Sequence, residues 1–378
     1  MIYLDYAAAT PLDSRVLAAM QPFLQTAFYN PSSPYTAARE VKKAVEAARA
    51  GVGYWLGARP SDIIFTAGAT ESINLAIHGV MQKFPETNVV VSAIEHDAIL
   101  ASAARYPHTI VPVQSSGSVD MDALRRAIND QTVLVSIGYA NNEIGTIQSL
   151  KTIADIVADV RINRQKTANA LPLYMHSDAS QAAGYLDLHV SRLGVDLLTL
   201  NGGKMYGPKQ TGILFVKSGT QLLPLITGGG QELGLRSGTE NVAGAIGFAV
   251  ALDLAQTNRK DAITTQAALR NELQRRLVAE LPSTIVNGNV KKRLPNNLHV
   301  SWPDVDGERL VMLLDERGVQ AATGSACAAN KQIPSHVLRA IGLDDATIQG
   351  SLRLTLGSPT TPDDIAAAAR IIIDSVKS

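Results

Sequence analysis

Asp196-Leu197-Leu198-Thr199-Leu200-Asn201-Gly202-Gly203-Lys204 is an apolar run that breaks abruptly into two glycines and a lysine. A short apolar run bounded by glycine reads as a strand buried on both faces. Runs of the same kind recur at 63–66, 89–92, 109–113, 132–137, 173–176 and 213–216, with amphipathic stretches at 72–83, 99–106, 122–128 and 153–164 between them. Alternation of this sort predicts an α/β fold: a mostly parallel, seven-stranded sheet with helices on both faces. Beyond helical stretches at 241–256 and 261–281 the pattern changes to well-spaced strands at 297–301 and 351–356. A smaller α+β unit suits that spacing. The expected organisation is a large domain over 15–257 and a small domain built from 1–14 and 258–378.

The whole chain narrows the choice of function. At 46% hydrophobic over 378 residues it has ample material for a core, and 34 Lys+Arg against 34 Asp+Glu leave no net field for nucleic acid or an anionic membrane. The apolar stretch 242–252 is interrupted by Asp253 and falls short of the about 20 residues a membrane span needs. Met1-Ile2-Tyr3-Leu4-Asp5-Tyr6 shows no basic region leading into an apolar core, so no secretory leader is expected and the cytoplasm is the default compartment. The histidines form no HxxH or HxxxH pair, and one Cys makes no thiolate cluster, so no metal site is expected.

In sheets of this kind ligands bind beyond the carboxyl ends of the strands, which makes the residues after each run informative. Lys204, set after two glycines, is partly desolvated and sterically open, the setting in which an amine reacts with an aldehyde. Asp178 ends the strand before it, and a carboxylate there suits a protonated pyridine nitrogen. Phe65-Thr66-Ala67-Gly68-Ala69-Thr70-Glu71-Ser72 joins a strand to a helix and offers backbone N–H groups and a hydroxyl to a phosphate. Glu95-His96-Asp97 puts an imidazole at the same edge. Each residue alone has an ordinary reading: a turn lysine, a helix N-cap aspartate, a common βα turn, a solvated helix start. Their coincidence on successive strand ends describes a pyridoxal phosphate site. The single cysteine lies in Ala322-Thr323-Gly324-Ser325-Ala326-Cys327-Ala328-Ala329-Asn330, too rich in small residues for packed core. Cys327 is therefore a candidate nucleophile, its plain alternative being a small semi-buried hydrophobe.

These residues belong to a larger set. Gly68-Ala69-Thr70-Glu71-Ser72-Ile73-Asn74-Leu75-Ala76, Glu95-His96, Asn141-Asn142-Glu143-Ile144-Gly145-Thr146-Ile147-Gln148, Asp178-Ala179-Ser180-Gln181, Gly228-Gly229-Gly230-Gln231-Glu232, Arg236-Ser237-Gly238-Thr239-Glu240-Asn241 and Pro334-Ser335-His336-Val337-Leu338-Arg339 follow in order along nearly the whole chain. With them the chain resembles the pyridoxal-phosphate-dependent cysteine desulfurases of the class V aminotransferase superfamily, fold type I. The Gly-Ser-Ala-Cys loop resembles that of the group serving iron–sulfur assembly and tRNA thiolation.

The resemblance implies a set of roles. Lys204 would hold pyridoxal 5'-phosphate covalently, Asp178 would pair with its ring nitrogen, and His96 would stack on the ring and serve as proton shuttle. Gln181 and Asn142 would reach the phenolic oxygen, and Asn142 with Arg353 the carboxylate of L-cysteine. Ala69 and Thr70 would bind phosphate, joined by Thr239 from a neighbouring subunit, so a homodimer is implied. Cys327 would take the substrate sulfur as a persulfide for an acceptor protein. In Ser351-Leu352-Arg353-Leu354-Thr355 alternation independently puts Arg353 on the polar face, where a guanidinium suits a carboxylate. Asn201 and Gly203 stand where relatives of this kind carry phosphate-binding Ser and His, and the amides of Gly202 and Gly203 with the Asn201 side chain are expected to form an anion nest instead. Gln210 replaces a usual glycine, and Tyr35 follows Asn30-Pro31-Ser32-Ser33 where a histidine is common. Other expectations compatible with the residues are a selenocysteine lyase, an aminotransferase, or a non-catalytic dimer retaining the fold.

Overall fold

The computed structural model describes residues 1–324 and 334–378; Cys327 lies outside the described residues. Among the described residues the strands are β1 Ile2–Tyr3, β2 Ile63–Thr66, β3 Asn88–Ser92, β4 His108–Val111, β5 Thr132–Ser136, β6 Tyr174–Asp178, β7 Leu197–Asn201, β8 Gly212–Val216, β9 Ile285–Val286, β10 Asn297–Ser301, β11 Val319–Gln320 and β12 Ser351–Thr355. A seven-stranded sheet runs in the order β2-β8-β7-β6-β5-β3-β4. Its β3 to β7 pairings are parallel, whereas β8 is antiparallel to both of its neighbours. The reversal follows from the short link 202–211, which has no room for the helical crossover that parallel strands require.

Period-two alternation divides the sheet's side chains between two layers. Val90, Leu198 and Ile63 enter a core shared with the helices Thr36–Leu56, Leu150–Lys166 and Val242–Thr257. Their neighbours Val89, Leu197 and Ile64 enter another, under the helix Ala69–Lys83. Burial on both faces is the reason these strands read as continuous apolar runs. The helices start earlier than periodicity suggests, at Ala69 and Leu150, because polar residues of the first turn, such as Thr70 and Lys151, fall outside the apolar stripe.

A second, antiparallel sheet has the order β12-β10-β9. Leu298, Val300, Leu352 and Leu354 on one face join a separate core with the helices Arg259–Glu280 and Pro362–Val376. The opposite face carries Asn297, His299 and Ser301 against Thr355, Arg353 and Ser351, and every one of these polar residues is buried. The amino-terminal segment ties the two sheets together. Its β1 pairs with β11, Leu4 O accepts from Thr355 N at 2.7 Å, and Thr10 N donates to Gly203 O at 3.2 Å beside the end of β7.

Candidate active site

The carboxyl ends of β3, β5, β6 and β7 face one cavity of about 320 Å³. Ala69, Thr70, His96, Asn142, Asp178, Gln181, Asn201, Lys204 and Arg353, all singled out in the sequence, border it. Gly203 lies one residue behind this lining, and Thr239 is exposed and does not border the cavity of its own chain.

Each group is placed by its element. Helix Ala69–Lys83 begins at Gly68, whose φ of 136° turns the chain sharply and which has no side chain to cap the first-turn N–H groups. Those N–H groups and the helix dipole suit an anion. Glu71, in the same turn, is neutralised by Arg236, Nε donating to Oε1 at 2.9 Å. Asp178 closes β6, and its Oδ1 accepts from Ser180 N at 2.9 Å and Ser180 Oγ at 2.6 Å, which anchors that oxygen. His96 caps the helix Asp97–Ala103: its Nδ1 accepts from Ala98 N at 3.0 Å, so the neutral ring carries its proton on Nε2.

Lys204 closes a 3₁₀ turn directly after β7. Its Nζ donates to Ala7 O at 2.8 Å and Ala8 O at 2.6 Å, and Gln181 Nε2 donates to Ala7 O at 3.0 Å. Arg353 is 2% exposed, with Nη2 donating to Asp5 Oδ1 at 2.6 Å, Nη1 to Asn142 O at 3.3 Å, and Nε buried with no partner among the described residues.

The anion nest expected at 202–203 is not free. Gly202 N donates to Thr211 O at 2.9 Å and Gly203 N to Asn201 Oδ1 at 3.0 Å, so both amides are spent in closing the turn. The Asn201 side chain borders the cavity while its oxygen holds that turn.

Two parts of the site escaped sequence reasoning. One is the amino-terminal segment, which reaches the cavity through main-chain carbonyls that no side-chain pattern reports. The other is Glu95, buried on the cavity wall, where Ser92 Oγ donates to Oε1 at 2.5 Å and Gly138 N to Oε2 at 2.9 Å. Burial pushes this carboxyl up to about 8 despite those two donors, and nearby Asp178 adds to the rise. At neutral pH Glu95 is therefore protonated. Its position next to His96 was the available signal.

An amine, a carboxylate, an imidazole and an uncapped helix start around one cavity fit an aldehyde-bearing, phosphorylated pyridine by the chemistry of the donor set. The family model for class-V aminotransferases matches residues 2–367, and the chain belongs to that family, which implies pyridoxal phosphate as cofactor. The cysteine desulfurase IscS of Dictyoglomus turgidum is 41% identical over 371 residues, covering 96% of this chain and 91% of that one. Among solved structures, a NifS-like protein superposes with a TM-score of 0.90 at 33% identity, covering 99% of this chain and 98% of its own. SspA, solved in complex with cysteine, superposes with a TM-score of 0.79 at 31% identity over 94% of this chain and 99% of its own.

Proposed function

We propose that the protein is a cysteine desulfurase that converts L-cysteine to L-alanine and passes the sulfur through Cys327 to an acceptor protein of iron–sulfur assembly or tRNA thiolation. The observation that carries this reading is the convergence of Lys204, Asp178, His96 and Arg353 on a single cavity. Similarity to IscS and to a structure holding cysteine supports the substrate.

Bound pyridoxal phosphate supplies an electron sink that makes the substrate Cα proton labile. Lys204 is the residue that would hold it, Asp178 would pair with its ring nitrogen, and the start of helix Ala69–Lys83, with Ala69 and Thr70, would hold its phosphate. Lys204 Nζ takes the Cα proton and returns it to the carbon skeleton. Arg353 and Asn142 orient the substrate carboxylate, and Gln181 would hold the phenolic edge of the cofactor. The Cys327 thiolate attacks the substrate sulfur, an S–S bond forms and the Cβ–S bond breaks. Its electron pair stays on carbon, so carbon is reduced while sulfur is oxidised to the persulfide level. His96, with its proton on Nε2, relays the thiol proton to the carbon skeleton, which leaves as alanine.

The reading extends to the whole particle. Thr239, exposed in its own chain, would complete the phosphate site of a second copy in a homodimer. The two separate apolar cores support a large unit over 15–257 and a small unit over 1–14 and 258–378.

The test is alanine release from L-cysteine by the purified protein with added pyridoxal phosphate and a reductant, wild type against Cys327→Ala. Alanine and sulfide that depend on Cys327 are expected. Alanine formed at the wild-type rate by Cys327→Ala, or amino transfer that requires a keto acid, would defeat the reading.

A further inference from the structure

Arg353 already holds a carboxylate. Its guanidinium is buried and bound through Nη2 to Asp5 Oδ1 at 2.6 Å, while the same side chain borders the cavity. His299 sits opposite it in the β10–β12 register, and burial pushes that imidazole down to about 3, so it adds no charge. Burial raises the proton affinity of Glu143, also near Arg353, and Ser335 Oγ donates to its Oε2 at 2.6 Å, so this carboxyl is engaged elsewhere. Among the described residues Asp5 is the carboxylate in direct contact with Arg353.

We propose that Asp5 is a specificity-determining residue, an internal competitor that occupies Arg353 until a substrate carboxylate displaces it. The proposal rests on the reading that Arg353 receives the α-carboxylate of L-cysteine. A buried guanidinium cannot be left unpaired at low cost, so one carboxylate must be exchanged for another. Asp5 offers a single hydrogen bond, whereas a free carboxylate can offer two oxygens to the planar fork.

The exchange needs only a side-chain rotation. The main chain around Asp5 is pinned independently, with Thr355 N donating to Leu4 O at 2.7 Å, Tyr6 N to Thr355 O at 3.3 Å and Ala7 N to Thr355 Oγ1 at 2.9 Å. The Asp5 carboxylate is 18% exposed, so it has water to turn towards. A ligand without a carboxylate gains nothing at Arg353 and leaves the pair closed. Self-occlusion lowers the apparent affinity in proportion to the fraction of molecules in which the pair is open.

The test uses the cofactor-loaded protein. It measures KM for L-cysteine and, without turnover, Kd for L-alanine from the change in the cofactor's visible absorbance, in wild type, Asp5→Asn, Asp5→Ser and Arg353→Lys. Both Asp5 variants should lower KM and Kd together by about tenfold, as expected when a competing closed state is removed. Values that stay unchanged or rise in the Asp5 variants, while Arg353→Lys weakens both, would make Asp5 a fixed support and overturn the proposal. An Arg353→Lys variant that changes neither KM nor Kd would instead defeat the reading of Arg353, and the proposal with it. Asp5 variants that fold only with L-alanine supplied support the exchange; variants that fold under neither condition overturn it.

Discussion

Among the described residues Glu95 is a carboxyl with two hydrogen-bond donors and no cation in contact, buried among strand ends that already carry Asp178. Its affinity for a proton is raised in the fold, from 4.5 to about 8. Between those values the folded chain holds a proton that the unfolded chain has released, so raising the pH through this window costs stability. The contribution is fully present below the unfolded value and is lost as pH rises towards about 8. Glu95→Gln, neutral at every pH, should show a flatter melting profile between roughly pH 5 and 8, the difference approaching about 1.4 kcal/mol per pH unit. Parallel profiles for the two proteins would refute a protonated Glu95. The glycines before Lys204 allow a second residue-level prediction. A Cβ at Gly203 meets nothing nearer than 3.4 Å, whereas one at Gly202 would lie 2.3 Å from Thr211 Oγ1 and 2.9 Å from Pro208 O. Gly203→His should fold normally and retain pyridoxal phosphate about tenfold more tightly through one charge-assisted hydrogen bond, read by equilibrium dialysis. Gly202→Ala should lose cofactor in the same assay.

Among the elements, the turn carrying Lys204 depends on a residue far away in the chain. Thr10, buried, donates through Oγ1 to Gly203 O at 3.1 Å and accepts from Tyr206 N at 2.8 Å. Thr10→Val keeps the shape but strips both bonds and leaves the Tyr206 amide unsatisfied. A loss of about 1–3 kcal/mol in denaturant unfolding is expected, with weaker cofactor retention; an unchanged midpoint would show that the turn stands without it. This dependence explains what could be read from the sequence and what could not. Strands such as β5 and β7 were legible because burial on both faces writes them as apolar runs, and Asp178 and Lys204 were legible because each directly follows one. The hold of residues 5–10 on Lys204, Gln181 and Arg353 was illegible, since it runs through main-chain carbonyls and one aspartate whose partner is remote. The nest expected at Gly202 and Gly203 was misjudged for a related reason: composition shows that amides exist, not that Thr211 and Asn201 already use them. The polar face of β10 was equally hidden, because its alternation looks like solvent exposure while all of it is buried.

For the whole molecule, large apolar side chains remain exposed on the helix Ser14–Gln25, the segment after it, and the helix Thr36–Leu56, among them Leu24 at 60%, Phe28 at 69% and Tyr54 at 76%. Leu233, in the loop that carries Thr239, is exposed to 60% as well. Surfaces of this kind favour association with a second copy. Sedimentation equilibrium should return twice the chain mass, and a monomer at micromolar concentration would contradict the proposal that Thr239 serves the phosphate site of a second copy. The order of the seven strands was beyond the sequence, because β8 inserts between β2 and β7 by a reversal that depends on the length of the link 202–211. The contact between Asp5 and Arg353, 348 positions apart, has a consequence for how the protein is made. On the ribosome the early segment must wait, its partner strand untranslated, while the sheet between them takes shape. No nascent fragment short of β12 can close the ring of contacts around the cavity, so catalytic competence arrives in one late step rather than growing with the chain.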